Sequence, residues 1–134
     1  MWCRGIRGAT IVASNSREDI LAATKELLLQ MVEANGVEID KIASIHFTTT
    51  PDLNAEFPAL AARELGWTDV ALLCGHEMDV PHGLPMCLRI LILFNTEKSA
   101  VNIAHAYIRG AEQLREKNPQ FSNSEVKHDC SNED

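Results

Sequence analysis

The chain has 134 residues, 46% hydrophobic and 23% charged, with a formal net charge of −7. That suits one domain burying roughly two thirds of the surface its unfolded chain exposes. It is too acidic, without a lysine-rich run, to suit nucleic acid or an anionic membrane, so positive charge for an anionic ligand must come from a few placed arginines. No apolar run reaches the roughly 18 residues of a membrane span. "MWCRGIRGATIV" has arginines at positions 4 and 7 and no apolar h-region, so no signal peptide is expected there.

Trp2–Val12 reads as a first strand. Ser16 followed by Asp19 is a capping-box signal, and Ile20, Leu21, Leu27, Leu28, Met31 and Val32 then recur at helical spacing until Gly36 supplies a stop. Ile42–Thr49 is a second strand. In "TPDLNAEFPALAAREL" the first proline makes a turn, and Pro58 suits the first turn of a short helix ending near Gly66. Asp69–Cys74 is a third strand, and the loop "GHEMDVPHG" leads into the fourth strand, Leu84–Phe94. Ala100–Leu114 is predicted as a second long helix, with Val101, Ala104, Ile108 and Ala111 on one side. Residues 1–116 then form a single domain, and 117–134 a polar, flexible tail.

This order of elements gives an α+β fold, too short for a doubly wound nucleotide fold and without a G-x-G-x-x-G or Walker loop. One face of the fourth strand places Met86, Leu88, Ile90, Ile92 and Phe94, and the other Cys87, Arg89, Leu91 and Leu93. Both faces are apolar, so the strand is expected to be covered on both sides. With so few helices available, another subunit is expected to supply part of the cover. Cys3, Cys74, Cys87 and Cys130 form no C-x-x-C pair and read as reduced thiols, mostly buried, in a cytoplasmic protein. The five histidines share no metal-ligand spacing, so neither metal nor cofactor is expected.

"CLRILILF" (Cys87–Phe94) poses the sharpest question, because Arg89 is the one charge in an apolar strand and a guanidinium stays charged in a protein. Arg7 occupies a similar place in the first strand, on a face with Cys3, Gly5, Ala9 and Ile11, where nearby glycines admit a ligand or a neighbouring backbone. Glu77 follows the third strand, Arg63 lies on the short helix, and Tyr107 and Arg115 lie on or just past the last predicted helix. Two readings stay open on the residues alone. Arg7 and Arg89 can be structural bridges to Glu77 or to carbonyls, or they can line a pocket for a small carboxylated molecule. Cys74 has His76 nearby but no third group to complete a nucleophilic arrangement.

"RGIRGATIV", "TTTPDLNAEFPALAARELGW", "CGHEMDV" and "CLRILILF" resemble, in order and without a large insertion from about Met1 to Arg115, the monofunctional AroH-type chorismate mutases. The resemblance implies a mixed β-sheet with helices on its outer side, and a homotrimer forming a pseudo-α/β barrel with sites between subunits. It implies the rearrangement of chorismate to prephenate, without cofactor, metal or covalent intermediate. Carried over by position, the catalytic residues are Arg7, Glu77 and Arg89. Substrate-binding positions add Cys74, Tyr107, Phe57, Ala59, Arg63, Leu72, Leu73 and Arg115. The sequence departs from the family at Leu60, where a lysine is common, at Leu73, where a threonine is common, and at Gly75 and His76. The rival readings are a trimeric enamine/imine deaminase and a non-catalytic trimer that binds an aromatic acid.

Overall fold

The computed structural model describes residues 1–116. β1 (Trp2–Ile11) passes through a capped turn into helix α1 (Arg17–Asn35). Ser16 Oγ accepts from the Asp19 N–H at 3.1 Å, satisfying one donor that a helix start leaves open. Asp19 does not close the reciprocal half of a capping box; its Oδ2 takes the Ser14 hydroxyl at 2.6 Å. Gly36 ends the helix in the left-handed conformation (φ 59°), and Val37 N–H then reaches Val32 O at 3.0 Å. Between the caps Ile20, Leu21, Leu27, Leu28 and Met31 are buried, as their spacing predicts.

The remaining elements are β2 (Ile42–Thr49), α2 (Ala59–Glu64), β3 (Ala71–His76), β4 (Cys87–Thr96), β5 (Ala106–Tyr107) and α3 (Glu112–Glu116). The strands form a single sheet in the order β3-β2-β4-β1-β5. β4 is antiparallel to both β1 and β2, while β3 pairs parallel to β2 and β5 parallel to β1. The sheet is therefore mixed. The core lies between one face of it and the helices: Ile6, Ile45, Phe47, Leu88, Ile90, Ile92 and Phe94 meet Leu27, Leu28, Met31 and Ala62. Contact there is tight enough that a Cβ on Gly8 would lie 2.4 Å from Met31 Sδ. Among the described residues no helix is long and apolar enough to cross a membrane.

Four expectations need correction. The helix predicted over Ala100–Leu114 is a 3-10 turn (Ala100–Asn102), strand β5 and the short α3. Tertiary pairing overrides the helical spacing there: β1 has a free edge that accepts Ala106 and Tyr107, and Arg109 (φ 52°) and Gly110 (φ 96°) turn the chain sharply afterwards. Strand β4 is partly open on its Leu91 face within one chain (Leu91 is 37% exposed), the side for which a second subunit's cover is expected. Its start also falls later, because Met86 adopts a left-handed φ of 53° and donates its N–H to Asp52 Oδ2 at 3.0 Å. Cys3 is exposed, not buried, whereas Cys87 is buried; Cys130 and the tail beyond Glu116 lie outside the described residues. Finally, Gly8 admits the side chains of α1, not a ligand.

Candidate active site

The register assigns every strand residue to a face. Opposite Arg89 stand Ala9 on one side and Thr48 on the other; Thr48 pairs in turn with Gly75, and Ala9 with Tyr107. One row across the sheet therefore reads Gly75, Thr48, Arg89, Ala9, Tyr107. The next row holds Leu73, His46, Leu91 and Arg7. Alternation puts these residues on the face away from α1. The chain leaves much of that face open: Leu73 is 64% exposed and Arg7 is exposed too.

Glu77 leaves β3 just as the strand ends, anchored by its own N–H to Thr49 O at 2.7 Å. Its carboxylate turns onto the open face, where Oε2 accepts the Thr48 hydroxyl at 2.8 Å and faces Arg89 Nη1 at 3.5 Å. The two side chains are 42% (Arg89) and 29% (Glu77) exposed. A single long contact at that exposure contributes little to stability. It offsets charge without engaging the guanidinium's planar fork, and among the described residues the Arg89 guanidinium has no other hydrogen-bond partner. Tyr107 lies in a cluster with Ala9, Cys87, Ala111 and the α3 residue Leu114, so α3 closes one end of the row. Arg115 is exposed on α3. Arg7 lies one pleat along from Ala9, its N–H donating to His105 Nδ1 at 3.0 Å.

The other expected site residues gather elsewhere. Phe57, Ala59, Arg63, Leu72, Leu73 and Cys74 line a cleft of about 420 Å³ beside α2, together with Leu60. A neighbouring cleft of about 400 Å³ shares Phe57 and Cys74 and adds His76. Cys74 pairs with Phe47, so its side chain belongs to the helix-covered face, opposite Arg89. Burial pushes its thiol above the ordinary range, opposed by a backbone hydrogen bond from Ala59 and by the Arg63 charge. Burial likewise pushes the Cys87 thiol up to about 11. Neither is a thiolate near neutral pH, so the arrangement offers no sulfur nucleophile. Among the described residues no His, Cys, Asp and Glu cluster could hold a metal ion.

The cleft's outer wall is held from the start of α1. Asn15 Oδ1 accepts the N–H groups of Asn54 and Ala55, both at 3.0 Å, and Arg17 Nε meets Glu56 Oε1 at 3.0 Å. Neither Asn15 nor Thr48 stands out in the sequence. Thr48 carries one signal, its place in the "TTT" run three residues before Pro51, but only the register reveals that it stands between Glu77 and Arg89.

A family model described as chorismate mutase type I matches residues 3–118. Chorismate mutase AroH of Thermus thermophilus is 46% identical over 113 residues, spanning 84% of this chain and 93% of that relative. Chorismate mutase AroH of Bacillus subtilis is 41% identical over 116 residues, spanning 86% and 91%. The solved structure of a chorismate mutase from Clostridium thermocellum matches with a TM-score of 0.80 at 49% identity, covering 84% of this chain and 98% of that one.

Proposed function

The chain belongs to the type I chorismate mutase family and rearranges chorismate to prephenate; from that premise we propose that Arg89 is its principal catalytic group and that two copies of the chain complete each site. The family match over most of the chain favours this reaction over the deaminase and the non-catalytic binder.

The reaction is internal to one molecule. An ether C–O bond breaks while a C–C bond forms, with no proton transfer and no covalent intermediate. The site therefore needs no base or nucleophile; it needs a shape that folds the side chain over the ring, and charges placed where the transition state polarises. As the C–O bond lengthens, negative charge grows on the ether oxygen and positive charge on the ring. Arg89 donates to that oxygen, and the contact strengthens as bond breaking proceeds. Arg7 and Tyr107 hold a carboxylate. Glu77 accepts from the ring hydroxyl and faces the cationic ring. The observation that carries this reading is the Thr48–Glu77–Arg89 arrangement: an aimed carboxylate and a guanidinium fork that no other described residue engages.

The placement of the remaining residues supports an assembly. Arg89, Glu77, Arg7 and Tyr107 lie on the open sheet face, while Phe57, Ala59, Arg63 and Cys74 line a cleft on its other side. One chain cannot close both groups around one small molecule. A homotrimer, with the cleft of one copy against the open face of the next, joins them and covers Leu73 and Leu91. The test is complementation between two inactive variants, Arg89→Ala and the cleft-filling Ala59→Arg. Co-expressed in equal amounts, they should regain activity at about one site in four, since random cyclic assembly then pairs an intact face with an intact cleft. Chorismate turnover by neither variant nor their mixture is expected only if both halves lie in the same chain, and that result would reject the composite site.

A further inference from the structure

We propose that helix α1 is a rack that sets the position of Tyr107, through Asn35 on one side of it in the chain and Glu26 on the other. The inference rests on the substrate contact assigned to Tyr107 above.

Tyr107 sits on the weakest strand of the sheet. β5 has two residues and, among the described residues, pairs with β1 alone and has no strand beyond it. Its own ladder therefore fixes little, and what flanks it must do the rest. Asn35, the last residue of α1, is 1% exposed and turns its carboxamide onto the backbone of Ala104. Oδ1 accepts the Ala104 N–H and Nδ2 donates to the Ala104 carbonyl, both at 2.8 Å. One side chain thus answers both polar groups of that peptide residue, as a neighbouring strand would. The same Nδ2 donates to Met31 O at 2.8 Å, which ties the amide to its own helix. Helix propensity does not call for asparagine at this position.

On the far side, Arg109 grips Glu26 in a bidentate pair, Nε to Oε1 at 2.7 Å and Nη2 to Oε2 at 2.6 Å. The hydrogen bond from Arg109 holds the Glu26 carboxyl below its usual range. Surface ion pairs contribute little as a rule, the exception being a two-point fork of this geometry. Here the fork clamps a non-glycine residue at φ 52°, a conformation that costs energy and persists only where its surroundings impose it. Between the two clamps Ile108 N–H reaches Ala9 O at 3.0 Å. The ring of Tyr107 is thereby held at the end of the Arg89 row by a helix that touches no substrate. Asn35 and Glu26 are positioning residues.

The chain's single tyrosine makes this testable directly. Protein carrying 3-fluorotyrosine gives one fluorine resonance, from Tyr107, in the wild type and in the Asn35→Asp, Asn35→Ala and Glu26→Gln variants. The line should shift or broaden in each. KM for chorismate should rise roughly tenfold in Asn35→Asp with kcat changed less, because a residue that holds a carboxylate in ground state and transition state alike acts on uniform binding. In a Tyr107→Phe background the same substitution should raise KM little further, since residues acting through one contact are not additive. Glu26 is on the surface, so its variant keeps the test open if the Asn35 variants fail to fold. An unmoved line in folded Asn35→Asp or Glu26→Gln overturns the role of that residue, as does an independent KM penalty on top of Tyr107→Phe. If Tyr107→Phe alone leaves KM unchanged, the substrate contact fails, and the fluorine line still decides the positioning.

Discussion

Arg89 shows how one charge can sit in an apolar strand without a closed ion pair. Its face of β4 is open, Glu77 offsets it at 3.5 Å, and Thr48 fixes which oxygen of Glu77 does so. Lysine at this position would keep the charge and lose the planar fork. Arg89→Lys should fold and assemble normally yet lose about 10²–10³ in kcat, the usual cost of removing one preorganised donor. Steady-state kinetics beside circular dichroism checks this, and a near-normal kcat would reject the catalytic role. Glu77→Gln keeps the hydrogen-bonding shape and removes the negative charge. Its kcat should fall as well; unchanged turnover would show that stabilisation of the cationic ring is minor.

At the scale of elements, α1 does more than cover the core. Its N-terminal end holds the cleft wall through Arg17 and through Asn15 just before the cap, and its last turn holds Ala104. Both depend on the helix lying close to β1, which Gly8 permits: a Cβ there would meet Met31 Sδ at 2.4 Å and Leu27 Cδ1 at 3.2 Å. Gly8→Ala should therefore destabilise the fold by about 1–3 kcal/mol, the usual range for overpacking a filled core. A urea midpoint equal to that of the wild type would show that α1 gives way freely. The ends of α1 are legible because Ser16 and Gly36 act within one turn of the chain. β5 is not legible, because its strand character comes from the free edge of β1, about a hundred residues earlier in the chain.

For the whole molecule, the open sheet face is the main feature. Leu73 and Leu91 are exposed on it beside the charged residues proposed for catalysis. Water wets that apolar surface at a cost, and a second copy would remove it. Leu91→Glu should leave a folded chain by circular dichroism that sediments as a monomer and has lost chorismate turnover, since each site would lack its second half. Full activity from that monomer would reject the trimer proposed here.

The sequence by itself determined the elements whose signals are local: β1 and β2 by their apolar runs, α1 by its caps and periodicity, α2 by Pro58. It also marked Arg89 as anomalous, and its separated motifs pointed to the family. Only the tertiary structure decided which residues share a face. Cys74 and Glu77 are three positions apart, yet one turns to the helices and the other to the open face, because side chains alternate along β3 and Glu77 follows its end. Faces are set by strand register and by what packs behind each strand. These are long-range properties, and no window of sequence contains them.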